Sequence, residues 1–467
     1  MTHNGNPSFR RIAAFCAIGF ALATATLPPA LAEVPLTPDA AAAIAVERHP
    51  LVRAAAREGD GAKADRTLAR SGGLPRLDLT EDYARSTNPV FVFASKLGQE
   101  RFGPQDFAIE ALNTPDPYTN AATKVSLRQN VWDGGRTTAA QRAAKLGEAA
   151  AGSALSRTRD EVAFGAKRAF WDAVLADAMV AAARDAEKAA DANAELAGKL
   201  VDEGIAVPSD RMQADVRLGE VRAMRVGAEQ RAIVATAALR RALSATDAEE
   251  FTLDAPEISA NDVAPEAGDP GATVAEALAA RTDLRAFDAR IGQAQQGETI
   301  ALSGRLPQIG LGAQYEWNGT QPLDPTGNNW TVGAFVRIPL YDGCEGLARR
   351  QRARADRERL EAMREAMADG VDLEIRGAAA DRTSASERLR MAESNASLSL
   401  EALRIVRERY GEGLATIVEL LGVEASATQA RASKAQAARD LAVSRLAFEL
   451  AAGRPLAPPP SEVAEKE

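Results

Sequence analysis

The side chains that most often carry covalent chemistry are nearly absent from this sequence. It holds two histidines and two cysteines, and His3 and Cys16 fall in a leader segment described below. His49 and Cys344 remain, one imidazole and one thiol. They build neither a Ser-His-Asp or Cys-His arrangement nor a metal-ligand cluster, because a nucleophile needs a base beside it and zinc needs three or four ligands. No glycine-rich phosphate loop appears. The residues for an enzyme, a metal site or a bound cofactor are therefore missing. His49, directly before Pro50, reads as a helix-start or packing residue.

What remains is carboxylate chemistry. Most Asp and Glu residues lie beside Arg and Lys on helix faces, as on any solvated surface. Two stand out by position. Asp210 and Glu419 each lie six residues after a glycine, Gly204 and Gly413, in matching segments Glu203-Gly204-Ile205 and Glu412-Gly413-Leu414. In the first turn of a helix an acid suits the dipole and caps free N–H groups. The glycines read as helix-ending residues that tolerate positive φ.

These segments belong to a longer duplication. Val131-Trp132-Asp133-Gly134-Gly135 matches Leu340-Tyr341-Asp342-Gly343-Cys344, and the Glu-Gly segments follow at the same interval, both pairs 209 positions apart. Leu74-Pro75-Arg76-Leu77 and Leu306-Pro307-Gln308-Ile309 are offset by 232, which places 23 extra residues between 77 and 131. One architectural unit is used twice.

Around this repeat, Arg10-Arg11, the apolar run Ile12–Leu27 and Ala30-Leu31-Ala32 predict a signal peptide over 1–32. One mature cysteine gives no intrachain disulfide. No later stretch offers 18 consecutive apolar residues, so export ends either in solution or in membrane-crossing strands. A net charge of −9 argues against nucleic acid as a partner.

Period-two alternation predicts strands at about 306–317 and 329–341, and less cleanly at about 74–85 and 122–132. About ten residues with aromatics at the ends suits a tilted membrane strand, although a soluble hairpin fits the same alternation. Segment 86–121, rich in Asn, Pro, Phe and Gly, reads as an elaborated outside loop. Spans 134–201 and 343–410 contain no proline, and as helices each would reach about 100 Å. Return helices follow at 208–245 and 416–453, with a Pro/Asp-rich equatorial linker at 246–272 and a helix at 273–304. Positions 420, 423, 427, 430, 434, 437, 441, 444, 448 and 451 alternate three and four apart, and eight of the ten are apolar. The same stripe recurs 209 positions earlier, and Lys434 coincides with Arg225 as a polar break. The first repeat thus covers 33–245 and the second 273–453. The tail 454–467 reads as disordered.

Behind a signal peptide, two halves of helix–strand–strand–helix–turn–helix resemble the TolC-like outer membrane efflux protein family. The pieces that carry the resemblance are Asp133-Gly134-Gly135, Asp342-Gly343 and the turn Tyr410–Glu419. It implies a mainly α fold with a small β part. Three chains would each give four strands to a shared 12-stranded outer-membrane β-barrel, and their coiled-coil helices would form a periplasmic α-barrel. The homotrimer would be the passive exit duct of a tripartite efflux or type I secretion system. Its partners would be outer-membrane lipid, a periplasmic adaptor protein and, through it, an inner-membrane pump or ABC transporter. Glu203, Gly204, Ile205, Glu412, Gly413 and Leu414 match the family's Val-Gly-Leu/Thr adaptor-contact tip, with Glu in place of Val. Asp210 and Glu419 match its acidic constriction, where three copies make a ring that favours cations. Gln213 and Gly422 stand where a second acid often occurs. Tyr410 matches a tyrosine that bonds to the acid at the Asp210 position, and the arginine of that latch falls on Ala415. A periplasmic adaptor (membrane fusion) protein would have one hairpin between split β-domains, and a coiled-coil surface structural protein would have no reason for paired strands.

Overall fold

The computed structural model describes residues 35–246, 249–260 and 270–459. The leader at 1–32, positions 247–248 and 261–269 of the linker, and 460–467 of the tail lie outside them. A short parallel pair, β1 (Pro35–Leu36) with β4 (Thr252–Leu253), ties the segment before the first helix to the linker. The first helical stretch divides into α1 (Pro38–Arg48) and α2 (Pro50–Ser71). Proline drives the residue before it out of the helical region. His49 is extended there, and its Nδ1 accepts a hydrogen bond from the Leu51 N–H at 3.2 Å.

Four strands form one antiparallel sheet in the order β2 (Arg76–Ser86), β3 (Tyr118–Trp132), β5 (Gln308–Gln321), β6 (Asp324–Arg337). The register sorts the side chains into two faces. Leu79, Val125, Tyr315 and Trp330 lie in one row across the sheet, and Leu77, Leu127, Ala313 and Val332 in the next. The other face carries Asp78, Asp82, Lys124, Arg128, Gln314 and Glu316. There Arg128 pairs with Asp78 at 2.8 Å and Lys124 with Asp82 at 3.0 Å. Every connection to the long helices leaves from one end of this sheet. The β5–β6 hairpin and the insert between β2 and β3 close the other. That insert contains α3 (Pro89–Gly98) and α4 (Ile109–Asn113).

The remaining helices are α5 (Arg136–Asp202), α6 (Pro208–Leu243), α7 (Pro270–Ala280), α8 (Thr282–Ser303), α9 (Glu345–Gly411) and α10 (Ile417–Ala451). At 67 residues each, α5 and α9 are about 100 Å long. Each runs beside shorter helices in tandem. The first half of α5 meets α2 (Arg66–Glu148) and α8 (Leu146 against Gly292), and its second half meets α6 (Glu187–Arg222). Likewise α9 meets α8 through Arg364–Asp288 and then α10. The heptad stripe is the packed face: α6 buries Ala214, Val221, Ala228 and Leu239, and α10 buries Leu420, Ala427, Ala437, Leu441, Phe448 and Ala451. Alanine lets the backbones approach closely, and larger side chains such as Phe170, Trp171, Leu239 and Leu243 gather at mid-length with α1. None of the described helices is long and apolar enough to cross a membrane.

The tail departs from the expectation of disorder in its described part. The Leu456 and Ala457 N–H groups donate to Asp160 Oδ1 at 3.0 and 3.1 Å, and Leu456 is buried against Ala42 and Ala163. A carboxylate on α5 and a small apolar pocket are enough to dock it.

Candidate functional site

Both helical hairpins turn in the same way. The N–H of Gly204 donates to Val201 O and that of Ile205 to Leu200 O; the N–H of Gly413 donates to Tyr410 O and that of Leu414 to Arg409 O. This is the Schellman pattern, which needs a left-handed residue after the helix. Gly204 and Gly413 supply it, each at φ 73°. Glu203 and Glu412 precede them on the surface, and Ile205 and Leu414 are 61% and 63% exposed at the end of the molecule. A Cβ on Gly413 would sit 3.8 Å from Ile205, so the two tips lie side by side.

The fold thus brings all six tip residues into one projecting patch. Beneath it, Ala197, Leu200, Ala214, Tyr410, Ile417 and Leu420 form a core drawn from both hairpins.

Asp210 and Glu419 occupy the same position, the third residue of α6 and of α10, but differ in their bonding. Thr416 caps α10: its Oγ1 accepts from the Glu419 N–H at 3.2 Å, and its own N–H donates to Glu419 Oε2 at 3.3 Å. This reciprocal capping box gives Glu419 a structural task. The equivalent cap of α6 is Val207, whose side chain has no hydrogen-bond acceptor, and Pro208 follows it. Asp210 is left half-buried, with its carboxylate unbonded among the described residues.

Tyr410 is 3% exposed, and its hydroxyl hydrogen-bonds nothing among the described residues. Burial raises its pKa, and the nearby Asp210 charge raises it further. The two groups feel each other without the bond expected of a latch.

One further acid escaped sequence reasoning. Glu424, one turn beyond Leu420 on α10, is 2% exposed. Asn193 of α5 donates its Nδ2–H to Oε2, while Oε1 has no partner. Burial raises this carboxyl's pKa, against the lowering effects of Asn193, Arg217 and Arg407. Its only sequence signal is an acid at i+4 from one buried stripe residue and i−3 from the next. Between the hairpins above the tip runs a groove of about 1090 Å³, lined by Met179, Arg217, Met224, Met391 and Gln429 among others.

The other repeated motif fixes the opposite end of the long helices. Asp133 Oδ2 accepts from the Thr137 N–H at 2.9 Å, and Asp342 Oδ2 accepts from the Gly346 N–H at 2.9 Å. Each aspartate caps a long helix across two left-handed residues, Gly134-Gly135 in the first half and Gly343-Cys344 in the second. At Gly134 a Cβ would come within 2.8 Å of Leu306, so the strand-to-helix joint is also a close approach.

Comparison with known proteins agrees with this layout. CusC, a transmembrane channel, superposes with a TM-score of 0.76 at 16% identity, covering 90% of this chain and 93% of CusC. The outer-membrane channel OprN gives 0.75 at 19% identity, covering 90% and 91%. VceC from Vibrio cholerae, an outer membrane protein, gives 0.73 at 18% identity, covering 90% and 96%. No curated protein sequence matches. The sequence profile of the outer membrane efflux proteins matches residues 42–245 and 273–454, the two structural repeats. The chain belongs to the outer membrane efflux protein family.

Proposed function

We propose that three copies of this chain form the exit duct of a tripartite efflux or type I secretion assembly. The observation that carries the reading is the four-stranded sheet. It exposes one apolar face and one charged face, and leaves β2 and β6 unpaired at its edges. In lipid, unpaired backbone groups are too costly to persist, so such a sheet must close on copies of itself. The apolar face then meets lipid, the face with Asp78–Arg128 and Asp82–Lys124 lines the lumen, and the helices continue the duct into the periplasm.

The duct is passive: a pump in the inner membrane supplies the energy, and an adaptor grips the tip. Glu203-Gly204-Ile205 and Glu412-Gly413-Leu414 are the contact residues, and the groove between the hairpins lies several helical turns above them. In three copies Asp210 and Glu419 become two rings of carboxylates at the narrow end, which attract cations and hinder anions. Tyr410 belongs to the resting gate. Its contribution is the buried ring, and with its hydroxyl unbonded and Ala415 in place of an arginine, the gate is loosely latched.

The test is single-channel conductance of purified protein in a planar bilayer, for wild type, Asp210→Asn and Glu419→Gln. The expected result is long-lived discrete steps whose cation preference falls in each variant. Steps with unchanged selectivity would remove both acids from the constriction. Soluble monomers with no insertion would overturn the channel.

A further inference from the structure

We propose that a small pocket at mid-length, where α5, α6 and the linker meet, binds an amino-acid zwitterion. Arg240 takes its carboxylate, and Asp177 with Glu250 takes its ammonium. The site rests on the fold of the single chain and not on the channel reading.

The hairpin places the parts. Ion pairs Arg184–Glu229 and Asp191–Arg222 fix the antiparallel register of α5 against α6. Continued toward the linker, that register sets Asp177 opposite Thr236 and Ala173 opposite Arg240. Ala173 and Asp177 lie one turn apart on α5, as do Thr236 and Arg240 on α6, so the four share one furrow. Alanine is too short to fill it. The linker closes the furrow into a pocket of about 240 Å³, with Glu250, Phe251 and Leu253 as its third wall. That wall is held in place. Thr252 and Leu253 pair with Pro35 and Leu36, and the Asp254 N–H donates to Leu36 O at 3.0 Å. Phe251 and Leu253 pack against the core that contains Leu239.

Charge sets this pocket apart. Elsewhere along the hairpin opposite charges find each other, as Glu187 does with Arg222 and Arg225. In the linker, Glu249 is taken by Arg48 at 2.9 Å and by Thr246. Asp177, Arg240 and Glu250 make no side-chain hydrogen bond or ion pair among the described residues, and Arg240 Nε is buried without a partner. Burial with no compensating partner raises the Asp177 pKa.

A guanidinium and two carboxylates around one cavity, bonded to nothing, are matched by a molecule that carries both charges itself. Nε–H and one Nη–H of Arg240 donate to a carboxylate as a fork, which satisfies the buried donor. An ammonium at Asp177 and Glu250 compensates the desolvated acid. The ligand's own side chain meets Leu239, Phe251 and Leu253. Drug-sized sites run to roughly 300–1,000 Å³, so this smaller pocket suits an amino acid or the amino-acid end of a peptide. In the periplasm the source is either free amino acids or the peptides of the cell wall.

The experiment is calorimetric titration of full-length purified protein with alanine and leucine, and with propionate and ethylamine as single-charge controls. Saturable binding of an amino acid, with neither control binding at the same concentration, is the expected result. Asp177→Asn and Arg240→Gln should each weaken it tenfold or more. Neither side chain is bonded within the chain, so both variants should melt as wild type does. Retention on purified cell-wall sacculi that both variants lose would make wall peptides the source. Amino-acid binding without such retention would make the free molecule the source. Well-folded protein that binds neither amino acid and is not retained would overturn the site. Binding that both variants leave unchanged, or that propionate or ethylamine reproduces, would overturn it equally.

Discussion

Glu419 holds the first turn of α10 through the Thr416 capping box and also carries a negative charge at the tip, so alanine there removes two things at once. Glutamine keeps the capping geometry and discards the charge. Glu419→Ala should therefore lower thermal stability by about 1 kcal/mol, while Glu419→Gln should leave the melting temperature unchanged. A melting curve for each variant separates the two roles. At Tyr410 the ring fills the core shared by the hairpins, and the hydroxyl is buried without a partner. Tyr410→Phe should be neutral or stabilising by about 1 kcal/mol, because it removes an unsatisfied polar group, and should leave resting conductance unchanged. Tyr410→Ala should raise resting conductance through loss of packing. An increased conductance in Tyr410→Phe would restore a hydroxyl latch. The tip residues were legible because the duplication aligns them. The missing Tyr410 bond was not, since it depends on the placement of two helices far apart in sequence.

Among the elements, the two strand-to-helix joints show what repetition tolerates. Gly135 and Cys344 occupy the same left-handed position, at φ 85° and 70°. A side chain there costs about 1 kcal/mol relative to glycine, and Cys344 is exposed and unpaired. Cys344→Gly should raise stability by about that amount in a denaturant titration. The packing of α10 on α5 should also depend on pH through Glu424. Its folded pKa lies above the ordinary glutamate value near 4.3. The stabilisation is therefore complete below that value and declines as pH rises through the raised one. Glu424→Gln should abolish this slope and raise the melting temperature at neutral pH; parallel slopes in wild type and variant would deny Glu424 the effect. Long proline-free spans, doubled stripes and alternating strands made the elements readable. The insert was not readable beyond being a loop, because its helix is held by Gln99, whose partners lie at 118–120 and 319. The docking of Leu456 on Asp160 was hidden for the same reason.

For the whole molecule, the internal repeat joins two hairpins of equal length to one four-stranded sheet, and three copies would approximate six-fold order around a single axis. The tip patches and the acids would then recur six times, in two alternating kinds that differ in their caps: Val207 with Pro208 in one, Thr416 with Glu419 in the other. Pivoted near its Asp-Gly joint, each 67-residue helix would also act as a lever arm. Over about 100 Å, a tilt of about 3° moves the far end by about 5 Å, the rise of one helical turn. Spread along the alanine-lined seams, that displacement asks each packing layer to slide by a fraction of an ångström. In the three-copy duct proposed above, the aperture would therefore widen while no layer of the core comes apart.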